Sequence, residues 1–274
     1  MQISDRIALA DGNAIPRLGF GTYKIPTTET VAAVEAAIAT GYRHIDTAKL
    51  YGNEREVGQA VRGSGLLRGD LFVTTKLWND DHGFDATLRA FDASMDALDL
   101  PWLDLYLIHW PQPRQDLYVQ SWRAIIRLRE EGRVRSIGVS NFHSHHLQRL
   151  IDETGVMPVV NQVELSPWLQ QADLRAFHAS HGIVTEAWSP LGRGRAASDP
   201  TLTAIGERHG VSSTQVAIRW HLQVGNVVIP KSTHPQRIAE NADVFGFTLT
   251  DDDMAQIAAL DAGERTGRDP DANE

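Results

Sequence analysis

The sequence contains no cysteine. Disulfides, thiolate metal sites, iron–sulfur clusters and a cysteine nucleophile are therefore all excluded. No apolar run approaches the roughly 18 residues that a membrane-spanning helix needs. The opening segment, MQISDRIALADGNAIPRLG, mixes polarities, carries an early acid and does not read as a signal peptide. Basic residues are in the minority: 26 Lys and Arg against 35 Asp and Glu leave a net charge of −9. That balance argues against a nucleic-acid partner or a protein held on anionic lipid. Proline- or serine-rich linkers and low-complexity tracts are missing too, so residues 1–274 read as one domain of a cytoplasmic protein. Missing as well is any G-x-G-x-x-G that leads from a strand into a helix, the usual mark of an open dinucleotide-binding sheet. The nearest glycine cluster, Gly63, Gly65 and Gly69, follows a helix and precedes a strand, as a helix end and turn would.

What is present is a repeating unit. Eight short runs rich in β-branched or aromatic residues (18–21, 44–46, 71–76, 103–110, 136–141, 159–165, 183–188 and 227–232) alternate with segments of helical periodicity. Asn53 with Glu56, Ser212 with Gln215, and Thr250 with Asp253 have the spacing of helix-opening capping boxes. Leu88, Phe91, Met95 and Leu98 step around one helix face. Strands separated by helices imply a parallel sheet, and residues 18–274 allow about 32 per unit, near the spacing of a closed barrel. The expected fold is α/β: a (β/α)8 TIM barrel. An N-terminal β-hairpin that turns at Asp11-Gly12 is expected to cap its bottom.

In such barrels the chemistry sits at the C-terminal ends of the strands. Those ends hold Asp46, Lys76, His109-Trp110, Ser140-Asn141, Trp188-Ser189 and Lys231-Ser232, with Tyr51 in the loop after Asp46 and Gln162 in strand six. Taken singly, Asp46 could be a loop anchor, Lys76 a strand-end side chain reaching for water, His109 a satisfied core histidine and Tyr51 a packing residue. Together they suggest more. A lysine near the barrel axis needs a counter-charge, and Asp46 on the adjacent strand is placed to supply it. An ammonium beside a phenol favours the phenolate, which predicts a Tyr51 pKa below about 10 and a usable proton donor or acceptor.

These residues resemble the aldo-keto reductases, over essentially the whole chain. The passages that carry the resemblance are GYRHIDTAKLYGNEREVG (41–58), TTKLW (74–78), DLYLIHWP (104–111), GVSNF (138–142), NQVELSP (161–167), AWSPLGRG (187–194) and IPKSTHPQRIAEN (229–241). The sequence is most similar to the short bacterial members of the family, such as 2,5-diketo-D-gluconate reductase. The resemblance implies a catalytic set of Asp46, Tyr51, Lys76 and His109, with Tyr51 protonating a carbonyl oxygen as hydride arrives, Lys76 and Asp46 tuning the phenol, and His109 orienting the carbonyl. It implies NADPH as cofactor: Ser140, Asn141 and Gln162 on the carboxamide, Trp188 stacked on the nicotinamide, Ser189, Leu191 and Gly192 over the pyrophosphate, and Glu240 and Asn241 at the adenine. Lys231, Ser232 and Arg237, at the start of a predicted helix, also suit a 2′-phosphate on charge grounds. A departure at Thr233-His234 implies less strict rejection of NADH.

Tyr23, Trp78 and Trp110 are expected to form an aromatic collar for a small carbonyl substrate, with Lys49 and Arg193 able to attract an anionic one. The tail, ERTGRDPDANE, resembles no diagnostic specificity loop. His143, His145 and His146 are expected on the solvated side of the helix after strand five rather than around a metal, and His178 and His181 are placed likewise. The implied activity is NADPH-dependent reduction of aldehydes or ketones, keto-sugar acids or small dicarbonyls among them, by a monomer. Two alternatives remain open from sequence: a Schiff-base aldolase using Lys76 as nucleophile, and a non-enzymatic NADPH-binding regulatory subunit.

Overall fold

The computed structural model of the chain describes residues 1–272. Strands β1 (Arg6–Ala8) and β2 (Ala14–Pro16) form an antiparallel hairpin. Eight parallel strands follow in chain order around one sheet: β3 (Phe20–Gly21), β4 (His44–Asp46), β5 (Phe72–Leu77), β6 (Leu103–Ile108), β7 (Val134–Ser140), β8 (Val160–Glu164), β9 (Val184–Trp188) and β10 (Val227–Val228). Leu18 pairs in parallel with Val228, where Gly19 N–H donates to the Val228 carbonyl at 2.9 Å and Val228 N–H to that of Arg17 at 3.0 Å. The first and last strands are thereby joined. The (β/α)8 barrel expected from the spacing is the fold observed.

The last strand is shorter than expected because Pro230 has no N–H to give the ladder. Its carbonyl still accepts from Gly21 N–H, so the backbone keeps tracking β3 up to the rim.

Helices α1 (Thr27–Thr40), α2 (Glu54–Gly63), α3 (Phe84–Leu98), α4 (Tyr118–Glu130), α5 (Ser144–Thr154), α6 (Ala172–His181), α7 (Pro200–His209), α8 (Ser213–Gln223), α9 (Pro235–Ala242) and α10 (Asp251–Ala258) surround the sheet. Outward-facing strand residues pack on them; Tyr106 meets Phe91 of α3 edge-on at 5.1 Å. On α3, Phe91 and Leu98 are buried and Leu88 and Met95 are half-buried against the same core. Inside the barrel the lower layer is apolar. Leu9 and Ile15 of the hairpin cluster with Phe72, Leu105, Leu107, Val160 and Val227, so the hairpin plugs the N-terminal end as expected.

Two of the three capping boxes form, at Ser212 with Gln215 and Thr250 with Asp253. Thr250→Ala should lower unfolding stability by about 1 kcal/mol, read as a lower urea midpoint at unchanged slope. The third does not form. The Asn53 side chain instead accepts from Thr47 Oγ1 (2.8 Å) and donates to the carbonyls of Thr22 (3.1 Å) and Ile25 (3.4 Å), tying together the loops after β3 and β4. Asn53 is the side chain that reaches both of those carbonyls and the Thr47 hydroxyl, and a buried amide is held where its donors and acceptor are all used. Among the described residues no helix is long and apolar enough to cross a membrane.

Candidate active site

Asp46 ends β4, and the loop after it turns through a short 3-10 segment, Lys49–Tyr51, closed by Gly52 at φ 67°. That turn folds Tyr51 back over the strand ends. Lys76, on the neighbouring β5, is fully buried, and its Nζ donates to Asp46 Oδ1 at 2.6 Å, the Thr47 carbonyl at 2.9 Å and the Tyr51 hydroxyl at 3.4 Å. All three ammonium hydrogens are used, which a buried charge requires. Burial works against the charge on Nζ, but Asp46, Tyr51 and Glu186 overcome it and hold the lysine above its ordinary pKa. His109 follows β6, with its ring edge-on to Tyr51 (5.8 Å) and to Trp78 (5.2 Å). Burial, reinforced by Lys76, pushes His109 well below the ordinary imidazole value, so it stays neutral. Tyr23 packs 5.0 Å from Tyr51, and Trp78 and Trp110 are half-buried beyond β5 and β6.

One expectation is reversed here. Tyr51 is half-buried, with its hydroxyl turned down toward Lys76. Burial pushes the phenol up to about 12; Lys76 opposes that shift and Asp46 adds to it. Desolvation of the phenolate outweighs the ammonium because Asp46 already neutralises much of the ammonium's field. At neutral pH Tyr51 is a phenol, which can donate a proton.

A second group of side chains lies beside this set. Gln162 Nε2 donates to Asp46 Oδ2 (2.8 Å) and to Glu186 Oε2 (2.9 Å). Ser140 Oγ donates to the Gln162 carbonyl at 2.8 Å. Asn141, in the left-handed region at φ 63°, donates to the His109 carbonyl and accepts from Trp188 Nε1 at 2.8 Å. The Trp188 indole is thus oriented and left half-exposed at the end of β9. Ser189, Leu191 and Gly192 continue from it. Gly192 has φ 55°, and a Cβ there would come within 2.7 Å of the Trp168 ring, so the loop can lie this close only with glycine. Further round the rim, Lys231 and Arg237 are exposed, with no ion pair among the described residues, at the start of α9. Ser232 Oγ accepts from His234 N–H, Glu240 lies on the exposed side and Asn241 is buried.

Residues 17–262 match the aldo/keto reductase family. The chain belongs to that family. It is 55% identical over 264 residues to an aldo-keto reductase of Mycobacterium sp. (strain KMS), covering 96% of each chain. It is 49% identical over 267 residues to the methylglyoxal reductase DkgA of Escherichia coli (strain K12), covering 97% of this chain and 96% of that one. Among solved structures, a variant of Gox0644 in complex with NADPH superposes with a TM-score of 0.95 at 50% identity, over 98% of each chain.

Within this aldo-keto reductase several residues differ from their expected placement. Lys49, expected to attract an anionic substrate, is paired with Asp81, while Arg193 is exposed at φ 54°. The histidines after β7 are not all solvated: His143 caps α5, His145 is exposed, but His146 is buried and its Nδ1 accepts from His143 N–H at 3.1 Å. Their Nε2 atoms face Asp269 and Asp271 of the tail. His178 is likewise buried, bonded to Asn161 and Thr185. The tail itself reaches the site. Glu164 accepts from Thr266 N–H (2.6 Å) and Gly267 N–H (2.9 Å), and Gly267 packs against the Trp188 ring. Glu186, which sequence inspection passed over, lies beneath the site. Its signal was available: it stands two residues before Trp188 in a strand, hence on the same inward face.

Proposed function

We propose that this chain is an NADPH-dependent reductase of small aldehydes and ketones, with α-dicarbonyls and keto acids as the favoured class, acting as a single-domain cytoplasmic monomer. One observation carries the mechanism: a fully buried lysine bonded at once to Asp46 and to the Tyr51 hydroxyl, next to a neutral His109. NADPH fits the residues present. Lys231 and Arg237, unpaired among the described residues, offer cations for a 2′-phosphate near the helix start, the Trp188 face is oriented for a flat ring, and Gln162 uses Nε2 inward, which directs its carbonyl oxygen toward an amide donor. When bound, the cofactor supplies a hydride. The protein's own residues do the rest. Tyr51 Oη donates a proton to the carbonyl oxygen, Lys76 stabilises the resulting phenolate, and neutral His109 hydrogen-bonds the substrate oxygen to fix its approach. Tyr23, Trp78 and Trp110 exclude water around a small substrate. The similarity to the methylglyoxal reductase DkgA supports the dicarbonyl class.

The geometry disfavours the aldolase alternative. A Schiff-base lysine must lose its proton, whereas Lys76 is held above its ordinary pKa with all three hydrogens engaged. The test is NADPH consumption, followed by absorbance, across methylglyoxal, simple aldehydes and keto-sugar acids, with NADH in parallel. Turnover with dicarbonyls is expected; absence of oxidation across the panel overturns the proposal. Arg237→Ala should weaken NADPH by about tenfold or more, in keeping with a lost charge-assisted contact, while NADH binding barely changes. Equal losses for both cofactors remove Arg237 from the 2′-phosphate.

A further inference from the structure

Gln162 and Glu186 face each other in register across β8 and β9, and both lie deep in the barrel. Asp46 is on β4, four strands away from β8, so its bond to Gln162 crosses the barrel interior. The Gln162 amide is held between two carboxyl groups, one on each side. Glu186 Oε2 accepts from Gln162 Nε2, while Oε1 is buried with no hydrogen-bond partner. His44 Nε2 lies 3.7 Å from Oε1.

We propose that Glu186 is a positioning residue. From beneath Trp188 it orients the Gln162 amide, and by gaining or losing its proton it biases the site between reduced and oxidised nicotinamide. This role rests on the assignment of Trp188 and Gln162 to the nicotinamide ring and its carboxamide.

Without an acceptor at Glu186, the Gln162 amide keeps only Asp46 Oδ2 as an inward acceptor and one of its two N–H groups loses its partner, so the amide is held less firmly with Nε2 inward. The groups around Glu186 determine the sign of its charge effect. Asp46 on β4 is a carboxylate, Lys76 on β5 an ammonium, and Val227 on β10, its other register partner, is apolar. His44 on β4 adds no charge, because burial, with Lys76 and Arg6 of β1, pushes it to about 3. Burial, then the Asp46 carboxylate, push Glu186 up to about 8, against the Gln162 bond and Lys76. It is therefore a neutral acid at pH 7 and an anion by pH 9. An oxidised nicotinamide ring carries a positive charge and a reduced ring does not, so the anion favours NADP+. By linkage, NADP+ binding draws the proton off Glu186.

The test is the dissociation constants of NADP+ and NADPH at pH 7 and pH 9 at fixed ionic strength, read from quenching of tryptophan fluorescence. Both cofactors carry the same phosphates, so the ratio of the two constants cancels their titration. In the wild type, NADP+ should gain on NADPH by about fivefold between the two pH values, the lower end of ordinary coupling between sites. Glu186→Gln keeps an acceptor for Gln162 but cannot ionise; it should bind NADPH at pH 7 within about twofold of wild type and show no pH dependence of the ratio. Glu186→Leu should weaken both cofactors at both pH values. A Glu186→Gln ratio that still moves with pH as in wild type overturns the role, and that comparison stands even if Glu186→Leu fails to fold. A wild type that binds neither cofactor overturns the proposed function and this role with it, whereas binding with unaltered Glu186 variants overturns this role alone.

Discussion

Replacing Tyr51 with phenylalanine is expected to lower kcat for carbonyl reduction by about 100- to 10,000-fold, the usual scale for loss of a positioned general acid. The fold should survive. Lys76 keeps its bonds to Asp46 and the Thr47 carbonyl, so no buried charge is left without a partner. Cofactor affinity should be nearly unchanged, since the Tyr51 hydroxyl is bonded to Lys76 and its ring packs on Tyr23 and His109. Unchanged turnover would sink the assigned role. The pH dependence differs with direction. With the phenol pushed up to about 12, the donor needed for reduction is intact through the neutral range. Alcohol oxidation needs the phenolate, a minor species that grows as pH rises toward that value. Oxidation kcat should therefore climb between about pH 7 and about pH 10 in the wild type. A flat oxidation profile would count against the phenol as the titrating group.

Lys76→Met should abolish most activity and also destabilise the protein, by about 3–5 kcal/mol for a buried pair with one partner removed. Asp46 is 1% exposed, and after the change Gln162 is its remaining side-chain donor. The carboxylate would either stay charged without a counter-ion or take up a proton, and both carry a free-energy cost. Combining Lys76→Met with Asp46→Leu separates structure from chemistry. Removing both charges should restore most of the lost stability, measured by chemical denaturation, while turnover stays low. Recovery of turnover along with stability would mean that the pair serves only folding.

Much of this was legible in one dimension because it depends on local periodicity and position. Alternating β-rich and helical segments imply parallel strands, since a parallel neighbour needs a crossover. Strand-end residues gather at one rim, so position along the chain places Asp46, Lys76, His109 and Trp188 together. Asn53 shows the limit of such reasoning. Its spacing to Glu56 fits a cap, yet three buried polar atoms from other loops compete for the same amide and win. The histidines of α5 show it again, because their neighbours come from a tail more than 120 residues away.

Residue types, spacing and the order of strands come from covalent sequence, and they suffice for the barrel, its working face and the tyrosine–lysine pair. Two further properties depend on what surrounds a group in space. The direction of the Tyr51 shift is the difference between desolvation and an ammonium already shared with Asp46. The place of Glu186 beside Gln162 and across from His44 exists only once β4, β8 and β9 close around a common interior. Desolvation and contact across a barrel are properties of enclosed volume, and a linear pattern does not encode which groups will share it.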